Sequence, residues 1–205
     1  MILSLHFLFI SLIASLIHLD VLVFGEFMFH RPIVVGPIIG FLSGDPNSGI
    51  LIGLIFELFY LSFSAIGVEI PPDATSSTVF AVVVYKFISK CMPISIVFGL
   101  IVGILYKYMD IYTRSINSML LSWVDTAKNE FLIRRINLLV VYGLFTTYFK
   151  TLLFYLLTFP LLGYVVFKLC EFGSNTNLIP NNPEFFHILP SIGIGIGLSS
   201  FINKK

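Results

Sequence analysis

The side chains best suited to bind a ligand fall in three polar clusters, each lying between two apolar stretches of the chain. The first cluster, residues 26–32, contains Glu26, His30, Arg31 and Pro32. A carboxylate accepts hydrogen bonds, whereas an imidazole or a guanidinium donates them, so this set can bind a hydroxylated ligand. The same residues could instead form an interfacial loop in which Glu26 pairs with Arg31. The pattern leaves both interpretations open.

The second cluster combines a turn with the beginning of an apolar run. Gly44 and Asp45 belong to a turn signal, and Asp45 is predicted to cap a helix that begins near Ser48. Gly49 and Gly53 follow at a spacing of four residues, which puts them on one helix face. Small residues at this spacing are typical of helices that pack closely.

Glu57 is a carboxylate inside that apolar run. A charge within a membrane helix costs at least about 2.5 kcal/mol on insertion scales, so such a residue is functional by default. The alternative is a structural ion pair, for which Arg31 and Lys150 are the candidate partners. Both interpretations remain open from the sequence.

The third cluster, residues 67–73, contains Gly67, Pro71, Pro72 and Asp73. The prolines end one helix, and Asp73 is predicted to cap the next. The free backbone N–H groups of such a helix end can bind hydroxyls or carboxylates in a transporter. A plain extracellular turn is the alternative, and Glu69 is expected to be solvated.

The elements that hold these clusters are expected to lie in a membrane. Of 205 residues, 57% are hydrophobic and 11% are charged, against about 25% charged in a soluble domain. The net charge of +1 argues against a nucleic-acid partner. The histidines, Cys91 and Cys170 show no metal-site or catalytic spacing. We therefore predict an integral membrane protein with no metal, cofactor or catalytic residue.

The predicted fold is all-α: a polytopic membrane protein with short re-entrant or broken helices and one amphipathic surface helix. Residues 1–205 are predicted to form a single membrane domain. It comprises a motif-bearing half (1–106), an amphipathic cytoplasmic helix (107–135) and C-terminal membrane segments (136–205). The surface helix is predicted from apolar residues recurring at three- and four-residue intervals, and its cytoplasmic side from its excess of Lys and Arg.

Several apolar runs have lengths that bear on this fold. Residues 2–24 are long enough for one retained span, and His18 and Asp20 indicate that one face of it meets protein. Residues 136–170 are too long for one straight span, so a helix broken near Pro160 or two joined segments are expected.

Two short runs, residues 33–42 and 78–88, cannot span a membrane as helices. Paired short, interrupted hydrophobic segments are a pointer to a transporter site. If both runs are re-entrant, the polar clusters converge at one depth. The predicted site for a neutral polyol therefore consists of Glu26, His30, Arg31, Glu57 and Asp73.

The clusters in this order resemble the Enzyme IIC subunit, the sugar permease, of mannose/fructose/sorbose-family phosphotransferase systems. The resemblance rests on the histidine-arginine-proline run ending at Pro32, on Gly44-Asp45 and on the Pro71-Pro72-Asp73 run. It implies a sugar-translocating subunit of the bacterial inner membrane that acts with a IID-like membrane subunit and is oligomeric. It further implies that the phosphorylated histidines lie on cytoplasmic IIA and IIB proteins, so that this chain is not an enzyme by itself.

Two alternatives accompany this interpretation. A degenerate family member could serve as a regulatory or docking membrane subunit without transport, since Ala65 stands where the family's mannose subunits carry asparagine. Members also usually continue past a point like Phe201. The second alternative is an unrelated small-solute carrier that shares only the broken-helix pattern.

Overall fold

The computed structural model describes residues 2–22, 25, 27–61, 70–125 and 129–175, and all the regular structure in these ranges is helical. The bounds are α1 (Ile2–Leu22), α2 (Pro32–Leu42), α3 (Pro46–Tyr60), α4 (Ala74–Val84), α5 (Met92–Asp125) and α6 (Asn129–Asn175). A π-helical turn, Tyr85–Ser89, continues α4. The predicted all-α fold with short helices is confirmed.

Helices α2 and α3 form a hairpin in which the two backbones touch. Asp45 caps α3 as predicted, because its side chain accepts a hydrogen bond from the Ser48 backbone N–H at 3.3 Å. A Cβ atom added to Gly40 would lie only 2.8 Å from Cα of Gly49, and one added to Gly36 would lie 2.7 Å from Cα of Gly53. Only glycine permits this approach, so the packing role predicted for Gly49 and Gly53 is confirmed.

Helix α4 is the buried centre of the bundle. Ten consecutive residues, from Thr75 to Val84, are buried, and α4 packs against α2, α3, α5 and α6. On the α5 side, Gly99 and Gly103 allow the close approach, since a Cβ at Gly99 would lie 2.7 Å from the carbonyl oxygen of Ser77. The predicted short run 78–88 is thus the apolar part of α4 and its π-helical continuation.

The described residues of the predicted surface helix over residues 107–135 belong to two long helices. Helix α5 runs through the predicted boundary at residue 106 and ends at Asp125, and α6 begins at Asn129. The physical reason is local: no glycine or proline occurs between residues 104 and 125 to end the helix.

The predicted break of residues 136–170 near Pro160 is not found, because α6 is one continuous helix of 47 residues with Pro160 inside it. Proline removes one backbone hydrogen bond, and membrane helices tolerate this where neighbouring helices and Ser or Thr side chains bind the freed groups. At about 1.5 Å per residue, α6 is far longer than the ~30 Å hydrocarbon core.

Within the described ranges, two helical stretches, Met92–Met119 and Ile133–Phe172, are long and apolar enough to cross a membrane. Helix α1 packs against α6 and α2, and its His18 and Asp20 are buried. The prediction that one face of this helix meets protein is confirmed. Helix α1 is described as far as Leu22, and the last two residues of the predicted span lie outside the described residues.

Candidate functional site

A cavity of about 470 Å³ opens where the polar clusters converge. His30 and Arg31 reach it from the segment before α2, Glu57 from α3, and Asp73 from the residue before α4. Four of the five predicted site residues therefore line one space, together with the predicted motif residues Pro32, Pro71 and Pro72. Gly44 and Asp45 lie in the turn between α2 and α3 instead, while Glu26 and Gly67 fall outside the described residues.

Glu57 has a structural partner, as one of its two interpretations required. Its Oε1 atom lies 2.7 Å from the Arg31 guanidinium, and its Oε2 atom accepts a hydrogen bond from the Ile33 backbone N–H at 3.3 Å. Both carboxylate oxygens are therefore occupied. The other candidate partner, Lys150, bonds Asp110 at 3.0 Å instead.

Asp73 uses one carboxylate oxygen for the fold. Its Oδ2 atom accepts a hydrogen bond from the Ser76 backbone N–H at 2.6 Å, which confirms the predicted cap, and another from the Ser76 hydroxyl. His18 Nε2 lies 3.1 Å from the same oxygen. Among the described residues, Oδ1 has no hydrogen-bond partner, and the Asp73 side chain is 25% exposed at the cavity. Oδ1 is thus an acceptor available to a ligand.

His18 is a site residue that the sequence presented only as a polar interruption of an apolar helix. Its Nδ1 atom lies 3.1 Å from the carbonyl oxygen of Ala14, and its Nε2 atom faces Asp73. The His18 ring therefore connects α1 to the residue before α4. The His18 ring also lies 4.8 Å from that of Tyr106, another cavity residue.

Asp20 holds the segment that carries His30 and Arg31 to the cavity. Its buried carboxylate accepts hydrogen bonds from the backbone N–H groups of Phe27 at 2.9 Å and Phe29 at 2.8 Å. His30 Nδ1 lies 3.1 Å from it. Between them Met28 has φ +66°, a left-handed conformation that costs free energy for a residue with a side chain. Asp20 is therefore a positioning residue for this segment.

Replacing Asp20 with asparagine is expected to loosen this turn. The amide keeps one acceptor oxygen and replaces the other with a donor, so at least one of the three hydrogen bonds is lost. Hydrogen bonds to charged groups contribute roughly 1.5–3 kcal/mol each. We expect a lower melting temperature of the detergent-purified protein and faster proteolysis near Met28.

The control is Glu171→Gln, whose pair with Lys168 is exposed and contributes at most about 1 kcal/mol. Equal melting temperatures for the two variants would contradict the role of Asp20.

The α5 wall of the cavity is not predicted by the sequence, because the amphipathic spacing of its residues indicates a surface helix. Lys107, Asp110 and Arg114 line the cavity at spacings of three and four residues, which puts them on one helix face. Asp110 accepts a hydrogen bond from Arg114 Nε at 2.7 Å and one from Lys150 at 3.0 Å, which ties α5 to α6. Lys150 Nζ also lies 5.3 Å from the centre of the Tyr106 ring.

Comparison with known proteins identifies what the whole chain resembles. A family model described as the PTS system sorbose-specific IIC component matches residues 4–205. The sorbose-specific EIIC component of Klebsiella pneumoniae is 27% identical over 122 residues, which are 60% of this chain and 46% of that protein. The mannose-specific EIIC component of Escherichia coli K12 is 33% identical over 61 residues, 30% of this chain and 23% of that protein. These matches span less than half the length of either relative.

Two solved structures share the fold. One, described as the structure of a membrane protein, has a TM-score of 0.68 at 21% identity. The match covers 99% of this chain and 79% of the chain in that structure. The other is the cryo-EM structure of the mannose transporter ManYZ in complex with microcin E492. It has a TM-score of 0.62 at 21% identity, and the match covers 98% of this chain and 78% of the chain in that structure.

Proposed function

The chain belongs to the family of sorbose-specific IIC components of phosphotransferase systems, and from this premise we propose that it forms part of a sugar pathway. In this proposal it is a multi-pass subunit of the bacterial inner membrane. It binds a sugar in the cavity between α1, α3, α4 and α5 and passes it towards the cytoplasm.

The observation that carries the proposal is the convergence of separate polar clusters on one cavity. Its volume of about 470 Å³ lies within the roughly 300–1,000 Å³ of small-molecule sites. The free Oδ1 atom of Asp73 can accept a hydrogen bond from a sugar hydroxyl, and His30 and the guanidinium of Arg31 can donate to one. Glu57 supports this site because its carboxylate forms an ion pair with Arg31 and holds the guanidinium in place.

The proposal includes three protein partners. A IID-like membrane subunit would complete the pathway, and cytoplasmic IIA and IIB proteins would carry the phosphoryl group on their histidines. The complex is proposed to be oligomeric. Large exposed apolar side chains on α6, such as Phe149, Leu161 and Tyr164, are compatible with contacts to lipid or to such a subunit. In this scheme the chain binds and conducts the sugar, and the partners supply the phosphoryl chemistry.

Sugar uptake with and without the partners tests this function. Cells that lack their own mannose-type transporter would express this chain with matched IIA, IIB and IID proteins, and labelled mannose, sorbose or N-acetylgalactosamine would be supplied. We expect uptake of at least one sugar, with its phosphate ester recovered inside the cell, and loss of uptake when either this chain or IID is omitted. A complex that assembles but transports none of them would instead favour a regulatory or docking subunit.

A further inference from the structure

His18 is a buried side chain in the wall of the cavity, and its ring is fixed in orientation. The side chain lines the cavity although it is only 5% exposed. Its ring centre lies 4.8 Å from that of Tyr106 in α5 and 5.8 Å from that of Tyr155 in α6. Its Nδ1 atom lies 3.1 Å from the carbonyl oxygen of Ala14, one turn earlier in α1. These contacts together set the direction in which Nε2 points.

Nε2 of this ring points at the carboxylate of Asp73. It lies 3.1 Å from Oδ2 of Asp73 and 3.3 Å from the Ser76 hydroxyl. That hydroxyl and the Ser76 backbone N–H both donate to Oδ2. Groups from α1 and from the first turn of α4 therefore converge on one carboxylate oxygen. Because a carboxylate is planar and rigid, holding Oδ2 from two helices also limits where Oδ1 can lie.

The contacts favour an indirect role for His18 at the sugar site. Both of its ring nitrogens already have a protein partner, whereas 25% of the Asp73 side chain is exposed at the cavity. A sugar hydroxyl therefore reaches Asp73 more readily than it reaches a nitrogen of His18. Groups that bind a ligand have to be held within about 0.5 Å of the productive geometry, and residues behind them provide this support.

The helix cap alone does not account for the histidine. Asp45 caps α3 through the same bond, from the backbone N–H of the residue three positions on, and no histidine among the described residues contacts it. A capping aspartate therefore needs no histidine for the fold. The feature that distinguishes Asp73 from Asp45 is its place at the cavity.

We propose that His18 is a positioning residue that, together with Ser76, orients the Asp73 carboxylate towards one hydroxyl of the sugar. This inference rests on the proposed sugar-binding function and deepens it, since it gives α1 a part in setting the affinity. His18 then affects the affinity for the sugar more than the maximal rate of uptake, and it does so only while residue 73 is a carboxylate.

Uptake kinetics of His18 variants test this role. The probe is whichever labelled sugar the parent complex takes up, among mannose, sorbose and N-acetylgalactosamine, and rates are normalised to the protein in the membrane. His18→Leu should raise the half-saturating sugar concentration about tenfold, which corresponds to ~1.4 kcal/mol, and should change the maximal rate little. His18→Ala replaces it if leucine does not fit. His18→Gln should retain most of the affinity, because the glutamine amide can lie where Nε2 lies.

Two further comparisons isolate the path through Asp73. His6→Leu is the same substitution at an exposed position of α1 and should change neither kinetic parameter. In an Asp73→Asn background, His18→Leu should weaken the affinity little further, because the oriented carboxylate is already gone. Residues that act through one another give such non-additive effects, whereas independent sites add.

The outcomes separate this inference from the function on which it rests. The positioning role would be overturned, with sugar transport left standing, by an unchanged half-saturating concentration in His18→Leu or by an equal loss in His18→Gln. Equal losses from His18→Leu in the parent and in the Asp73→Asn background would overturn it as well. Loss of the protein from the membrane in every His18 variant would assign His18 to the fold alone. Absence of uptake of all three sugars by the parent complex would overturn the proposed function itself.

Discussion

Gly49→Ala is expected to destabilise the protein strongly. The new Cβ atom would lie 2.7 Å from Cα of Gly40 and closer still to the carbonyl oxygen of Gly36. Both are backbone atoms, so no side chain can move aside to make room and the two helices have to separate. Overpacking typically costs about 1–3 kcal/mol and occasionally more. A marked fall in the melting temperature and in the yield of monodisperse protein should follow.

The matched control is Gly143→Ala, the same substitution inside α6, where a Cβ atom would meet nothing within 4 Å. Alanine is favoured over glycine in a helix by roughly 0.5–1 kcal/mol, so this variant should be as stable as the parent protein or slightly more stable. If Gly49→Ala melted at the same temperature as Gly143→Ala, the backbone contact between α2 and α3 would be refuted.

Asp73→Asn is expected to reduce sugar uptake strongly while the protein still folds. Asparagine caps helices about as well as aspartate, so the hydrogen bond from the Ser76 backbone N–H is retained. The negative charge opposite His18 is lost, and so is the charged acceptor at the cavity. A hydrogen bond to a charged group contributes roughly 1.5–3 kcal/mol, which corresponds to a ~10- to 100-fold weaker affinity. Uptake at low sugar concentration, normalised to the protein in the membrane, measures it.

Asp45→Asn provides a matched control within the same chain. Asp45 also caps a helix and also accepts a hydrogen bond from the backbone N–H three residues on, but it lies in the turn between α2 and α3. The substitution should therefore leave uptake unchanged. Equal uptake by the Asp73 and Asp45 variants would show that Asp73 serves the fold alone.

The features that the sequence predicted correctly depend on neighbouring residues. An aspartate before an apolar run predicts a cap, and glycines four residues apart predict close packing, because both effects act within one or two helical turns. The convergence of His30, Arg31 and Asp73 followed from the position of the breaks between apolar runs. Their role in binding a sugar remains a prediction.

Other features depend on which face meets which neighbour. The amphipathic spacing of Lys107, Asp110 and Arg114 shows that they share a face, but a polar face can meet water or a protein cavity with the same periodicity. Glu57 and Asp73 are both carboxylates near breaks. Only three-dimensional contacts show that both oxygens of Glu57 have a partner, whereas Oδ1 of Asp73 has none among the described residues. The sequence shows that Asp20 interrupts an apolar helix, but it does not show its partners, which lie in a turn of irregular backbone.

The burial of α4 has a consequence for the order in which the helices pack while the protein is being synthesised. The α5 surface that receives Ser77 is formed by Gly99 and Gly103, which leave the ribosome after α4 itself. The first turns of α4 also carry four hydroxyl-bearing residues, Thr75, Ser76, Ser77 and Thr78, all of them buried in the folded protein. Its final burial therefore has to await the synthesis of α5. Until α5 is made, we expect α4 to depend on the translocation machinery for its placement in the membrane.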